Sequence, residues 1–148
     1  YAVTGNTAAE IVMRRADATL PNMGLMTWKG SVVRKGDVII AKNYLVKDEI
    51  DKLNRLVMLF LESAELRVKE RKDLTLDYWR SNVDALLTFQ GQAVLKGNGQ
   101  VSNGEMEAYA KEVYCRFDER RKKMDAQNAD EEDLRFLENL ENEIKNKK

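Results

Sequence analysis

Residues 47–71, KDEIDKLNRLVMLFLESAELRVKER, decide the fold of this chain because they carry its strongest helical pattern. Apolar residues recur there at steps of three and four, and two more leucines widen the stripe. Such spacing places apolar side chains on one face of an α-helix. The pattern predicts a long amphipathic helix from Lys47 to about Arg71. Its apolar face comprises Ile50, Leu53, Val57, Phe60 and Ala64, widened by Leu56 and Leu61.

Helix-start signals and further apolar stripes predict more helices on the C-terminal side. Thr75 is a suitable N-cap for a helix that runs to the turn at residues 96–99. Ser102 and Glu105 form a capping box before a helix that ends near Met124. After the polar residues 127–129, a last helix is expected. The apolar faces comprise Leu76, Trp79, Val83, Leu86, Leu87 and Val94, then Met106, Tyr109, Val113 and Phe117, and last Leu137, Leu140 and Ile144.

The N-terminal side is less regular. Thr7 and Glu10 fit a capping box, which predicts a helix from about Ala8 to Asp17. Residues 21–24 read as a turn, and residues 29–37 as a loop or small hairpin. Residues 37–44 suit a strand or a short helical turn, and the flanking helices favour the turn. The first helix is expected to bury Ala9, Val12, Met13 and Ala16.

The connections between the predicted long helices are short, so neighbouring helices should be antiparallel. A single proline in 148 residues also favours helix over a turn-rich β fold. The sequence therefore predicts an all-α protein, an antiparallel bundle of four to five helices with an irregular N-terminal cap. We expect a domain at 1–126, its cap at 1–46, and a helical extension at 127–148 that packs on the bundle or on a partner.

The charges balance over the whole chain but not along it. Residues 1–47 hold seven basic and three acidic side chains, a net charge of +4, and residues 48–148 hold 18 basic and 22 acidic ones, a net charge of −4. Zero overall charge provides no global field that steers the chain to nucleic acid or to a membrane. The polarity suits contact between unlike regions of protein.

Residue types exclude several chemistries more firmly than they assign one. The chain has no histidine and a single cysteine, which excludes histidine-based catalysis and most zinc sites. We expect no metal, no cofactor and no catalytic residue, and a partly buried, inert thiol at Cys115. Without a disulfide, signal peptide or long apolar run, the sequence predicts a soluble, cytoplasmic protein outside the membrane. Because the chain begins at Tyr1 without methionine, we expect a fragment or a processed product.

Basic and polar residues near the N terminus form the one candidate site. They could converge on a phosphate-bearing nucleic acid or nucleotide, with Trp28 or Tyr44 as a stacking face. The competing interpretation, which we favour, is helix-end capping and internal pairing, with Trp28 anchoring the cap. The candidate ligand-binding or partner-binding residues are Arg14, Arg15, Asp17, Asn22, Lys42 and Asn43.

Four short motifs resemble the RhuM virulence-protein family. They are YAVTGNTAAE at 1–10, RADA at 15–18, NMGL at 22–25 and IAKNYL at 40–45. The resemblance extends over roughly residues 1–125. It implies a bacterial protein, often encoded in pathogenicity islands or near mobile elements, with a further N-terminal region similar to a DNA-binding module. Many relatives have histidine where this chain has Thr4 and Asn6, so a scheme built on those histidines does not carry over.

Two functional interpretations follow. The favoured one is a non-enzymatic helical domain that mediates self-association or partner contact for a DNA-associated protein, with nucleic acid bound through the further N-terminal region. The alternative is an enzyme or toxin-like factor that acts on nucleic acid or nucleotide through the basic and polar cap. The direction in which Arg15, Asp17, Asn22 and Lys42 point distinguishes them.

Overall fold

The computed structural model describes residues 1–146, with side chains described as far as Asn139 and at Asn142. It contains four α-helices: α1 at Ala8–Arg15, α2 at Lys47–Lys69, α3 at Leu76–Phe89 and α4 at Asn103–Asn146. Two short 3-10 turns, Pro21–Gly24 and Ala41–Tyr44, interrupt the irregular segment between α1 and α2. No strand occurs within residues 1–146. The predicted all-α class with an irregular N-terminal region is confirmed.

Local capping explains where the helices begin. The Thr7 hydroxyl accepts from the Glu10 amide, and the Glu10 carboxylate accepts from the Thr7 amide at 2.8 Å. The same carboxylate accepts from the Gln100 amide at 3.0 Å, which ties α1 to the segment before α4. These hydrogen bonds, that from Gln100 first, lower the pKa of Glu10. Ser102 caps α4 and Thr75 caps α3, as predicted.

Two helix ends differ from the prediction. A left-handed Gly91 ends α3 at Phe89, well before Lys96, and the Gln92 amide donates back to the Leu87 carbonyl at 2.8 Å. In contrast, α4 continues through Gln127–Ala129, where a break was predicted. No glycine or proline occurs after Gly104, so nothing removes a backbone donor or favours a turn there. The predicted last two helices are therefore one helix of 44 residues.

The core lies where a covering cap was predicted. α1 packs against both the first part of α4 and the Ala41–Tyr44 turn. Val12 on α1 and Ala110 on α4 are fully buried. The other core residues are Ala9, Ile11, Ala16, Met23, Leu25, Val33, Val38, Tyr44, Leu45, Met106, Val113 and Phe117, and Met13 and Trp28 are partly buried beside them. The irregular segment therefore forms part of the core together with α1 and the first part of α4.

α2 and α3 form an antiparallel hairpin beside this core. The Asn82 amide donates to the Ser63 hydroxyl at 3.1 Å, and the Arg67 guanidinium lies 3.6 Å from the centre of the Tyr78 ring. Ser63 precedes Arg67 on α2, but its partner Asn82 follows Tyr78 on α3. The two helices therefore run antiparallel. Stacking of a guanidinium on an aromatic ring adds a modest attraction at such an exposed position.

The Pro21–Gly24 turn depends on three successive left-handed residues. Asn22, Met23 and Gly24 have φ angles of 52°, 59° and 80°. Asparagine tolerates this region and glycine is free in it. A Cβ at Gly24 would lie 2.5 Å from the Arg15 carbonyl oxygen. The turn inserts Met23 into the core and closes the end of α1.

We expect Gly24→Ala to lower the free energy of unfolding by at least about 2 kcal/mol, because it adds backbone strain and a clash with α1. Gly36→Ala is the matched control, since Gly36 lacks a positive φ and its Cβ would meet nothing within 4 Å. Urea denaturation measures both variants. Equal stabilities of G24A and G36A would contradict this account of the turn.

Candidate interaction surface

Arg15 is engaged inside the protein. Its Nη1 donates to the Tyr44 carbonyl at 2.8 Å and to Glu49 Oε2 at 2.6 Å, and its Nη2 donates to Glu49 Oε1 at 2.6 Å. Both side chains are more than half-buried. This bidentate pair joins the end of α1 to the Ala41–Tyr44 turn and to the first turn of α2.

The electrostatics of the pair agree with a structural role. The hydrogen bond from Arg15 is the main cause that holds the pKa of Glu49 below its ordinary value, and the same bond raises the pKa of Arg15. Glu49 Oε2 also accepts from the Val46 amide at 3.0 Å, an orphan donor at the start of α2. Glu49 is the partner that sequence reasoning missed, because it lies 34 positions away.

Asp17 and Asn43 close local turns. The Asp17 carboxylate accepts from the Thr19 amide at 2.8 Å and from the Thr19 hydroxyl at 2.7 Å, and these bonds lower the pKa of Asp17. The Asn43 amide donates to the Asp37 carbonyl at 2.9 Å. Both side chains are therefore occupied by the loops that surround the core.

The remaining candidates lie in separate depressions. Arg14 and Asp17 line one beside Arg116 on α4, Lys42 lines a second beside Thr4, and Asn22 lines a third against α4. The six predicted residues thus share no common cavity. Their part in binding a ligand stays a prediction.

The third depression contains two arginines and one aspartate, Asp125. It has a volume of about 330 Å³ and is lined by Asn22, Arg120 and Arg121. Arg120 donates to the Thr19 carbonyl at 2.9 Å, and Arg121 pairs with Asp118. Both guanidinium groups thus already have internal partners.

Within residues 1–146, no group of three or more His, Cys, Asp and Glu side chains is placed to hold a metal ion. Across the same part of the chain, no helix combines the length and apolar character needed to cross a bilayer. Cys115 is exposed, not partly buried as predicted. It precedes buried Phe117 by two residues, about 200° around the helix, and so points outward.

The apolar faces of α2 and α3 are only partly buried, and apolar residues beside these faces are exposed. Leu56 is the one buried residue of α2, and α3 has none. The predicted face residues Val57 and Leu61 are exposed, Leu61 to 62%. The predicted faces are thus covered only in part. The large exposed apolar residues of the hairpin and its flanks are Val57, Met58, Leu59, Leu61, Leu66, Val68, Leu74, Leu76, Phe89 and Leu95.

The exposed residues lie on both flanks of the hairpin because α3 covers only the middle of a wide stripe. On one flank, Val57, Phe60 and Leu87 line a groove of about 300 Å³. On the other, Leu56, Met58 and Leu59 line a depression of about 440 Å³. The run LVMLFL at 56–61 is the sequence signal for this surface. Six consecutive apolar residues cover nearly every side of a helix, more than one neighbour can bury.

The outer part of α4 carries a second exposed apolar group. Leu134, Phe136 and Leu137 are each more than half exposed. Leu140 and Ile144, which were predicted to continue this seam, lie outside the residues whose side chains the structure describes. Most of the exposed large apolar side chains thus lie on the α2–α3 hairpin and its flanks or on the outer part of α4.

Comparison with known proteins identifies one similarity. The family model described as Virulence protein RhuM family matches residues 1–125 of the chain. Neither the curated proteins nor the solved structures include a significant match. The matched range contains the whole core and the α2–α3 hairpin, and it ends within α4.

We expect Glu49→Gln to lower the free energy of unfolding by about 1–3 kcal/mol at pH 7, because it removes the charge from the Arg15 pair. The pKa of Glu49 is lowered from 4.5, so the contribution is present above about pH 4.5 and is lost as the pH falls through the folded-state value. The difference from wild type should shrink at acidic pH.

Glu65→Gln is the matched control, since the Glu65–Lys69 pair is largely exposed. Its effect should stay below about 0.5 kcal/mol. Chemical denaturation of the three proteins at neutral and acidic pH measures these differences. If the free energy of unfolding that E49Q loses were the same at every pH, the loss could not come from the charge of Glu49.

Proposed function

Because this chain belongs to the Virulence protein RhuM family, we propose that it is a non-enzymatic helical domain that mediates self-association of a virulence-associated, DNA-associated protein. The observation that carries the proposal is the uncovered apolar surface of the α2–α3 hairpin. Association with DNA is inferred from the family resemblance, and it would belong to the further N-terminal region that the resemblance implies.

The area of the hairpin surface supports a second copy as the occupant. The ten exposed side chains together present on the order of 1,000 Å² of surface. This total is divided between the two flanks, so a contact through one flank would bury a smaller area. Each partner in a standard interface buries about 800 Å². A two-fold contact brings the same surface of both copies together, so one apolar surface suffices for a dimer.

One flank is the best candidate for this contact. Val57, Leu61 and Val68 are spaced by four and seven residues, so they lie on the same side of α2. All three are exposed, and Val57 also lines a groove that could receive side chains from the partner. Its lining by Val83 and Leu87 would extend the apolar contact onto α3.

The internal bonds of the polar candidates also favour an interaction domain over an enzyme. Arg15 and Asp17 are held by Glu49 and Thr19. A catalytic site needs groups that converge on one substrate position. The hairpin surface needs no such convergence and uses residues that have no other evident role.

We expect the double variant Leu61→Glu with Val68→Glu to weaken self-association at least about tenfold, because two charges enter an apolar contact. The control is Met26→Glu with Val32→Glu, which changes two exposed apolar residues outside the hairpin. Sedimentation velocity over a micromolar concentration series measures the association. A wild-type chain that stays monomeric throughout, with no captured protein in a pull-down, would contradict the proposal.

A further inference from the structure

α4 has a packed part and a projecting part. Its first part buries Met106, Ala110, Val113 and Phe117 against the core. From Lys122 to Asn139, every side chain is exposed. At about 1.5 Å per residue, the 44-residue helix is roughly 66 Å long, so its outer half extends beyond the body.

The outer side of this helix can be identified from its period. Ala126 follows Phe117 by nine residues, which is about two and a half turns, so it lies opposite the core-facing side. In contrast, Asn128 lies near the core-facing side and lines a depression with Ala18. A helix that approaches along the Ala126 side would meet no part of the body.

Two blocks of opposite charge flank Ala126. Residues 120–123 are RRKK and residues 130–133 are DEED. Lys122, Lys123, Asp130 and Asp133 all lie within roughly 60° of the Ala126 direction. Seven residues or more separate the basic pair from the acidic pair, beyond the reach of in-helix pairing, which joins residues three or four apart.

Most of the charged side chains in these two blocks form no ion pair with a residue that the structure describes. Lys122 pairs with Asp118 at 2.8 Å, whereas Lys123, Asp130 and Asp133 have no ion pair with any residue that the structure describes. A partner for this side of α4 should therefore have an acidic side chain opposite Lys123 and a basic side chain opposite Asp130.

We infer that α4 pairs antiparallel with α4 of a second copy, with the two-fold axis near Ala126. In this arrangement the basic block of each copy faces the acidic block of the other. A parallel arrangement would instead oppose like charges. The small Ala126 side chain would let the two helices approach closely at the crossing.

The same register covers part of the exposed apolar group. Leu137 of each copy would lie beside Arg116 of the other, and Leu134 beside Glu119. The methylene groups of Arg116 offer apolar surface there. The proposed contact thus combines two charge-matched zones with two small apolar zones.

This contact is separate from the hairpin contact of the proposed function and differs from it in its response to salt. Attraction between exposed charges weakens as salt screens them, whereas burial of the hairpin residues should not weaken in the same way. The two contacts are therefore distinguishable in one preparation of the full chain.

Cysteine cross-linking tests the geometry. In a Cys115→Ser background, Ala126→Cys should form a covalent dimer with a short bis-maleimide at low salt. Asn128→Cys is the control on the core-facing side, and Glu119→Cys lies on the outer side but far from the axis. Cross-linking of A126C no greater than that of N128C would overturn the proposal. Efficient cross-linking of E119C to itself would indicate a parallel pair and would also overturn it.

Charge reversal tests the complementarity with the same readout. The variant Lys122→Glu with Lys123→Glu should cross-link at position 126 at least about tenfold less than its parent, and so should Asp130→Lys with Asp133→Lys. An equimolar mixture of the two variants should partly restore cross-linking, because one of its two charged zones again joins an unchanged basic block to an unchanged acidic block. Failure of the mixture to do so, with helicity unchanged by circular dichroism, would overturn the inference.

A third measurement separates this inference from the proposed function. Cross-linking at position 126 should persist when Leu61→Glu and Val68→Glu are added, because α4 pairs independently of the hairpin. Loss of cross-linking in that background would overturn an independent α4 contact. A wild-type protein that self-associates through the hairpin but yields no cross-link at position 126 would retain the proposed function and overturn the α4 pairing.

Discussion

Packing of α1 against the first part of α4 is the interaction on which the rest of the structure depends. Val12 and Ala110 are fully buried there, and the irregular segment wraps around the same contact. Arg15 then fixes the start of α2 through Glu49 and the Tyr44 carbonyl. Burial of this small core and one partly buried ion pair hold the body together, while most of α2, α3 and α4 lies outside it.

That arrangement explains why the functional argument rests on surfaces. A 23-residue α2 with one buried side chain gains little stability from its own packing. The same apolar residues can stabilise a contact with a second chain, where their burial removes them from water. Burial of the core residues and exposure of the hairpin residues thus both follow from the fact that α1 and the first part of α4 form the core without most of α2 and α3.

Features that depend on residues close in the sequence could be predicted. Features that depend on contacts between distant residues could not. The capping boxes at Thr7 and Ser102 involve residues three apart, so both could be predicted from the sequence. The partner of Arg15 was not, because only the fold brings Glu49 to it. Apolar periodicity predicted α2 correctly but not its burial, which depends on whether another element covers it. The break at Gln127–Ala129 was wrong because polar composition alone does not end a helix.

Hydrogen exchange at low and high micromolar concentration tests the central claim most directly. Amides of α1 and of residues 106–117 should be well protected at both concentrations, since the core is internal to one chain. Protection of α2 and α3 should rise with concentration as a second copy covers them. Strong protection of α2 and α3 that does not change with concentration would contradict the account.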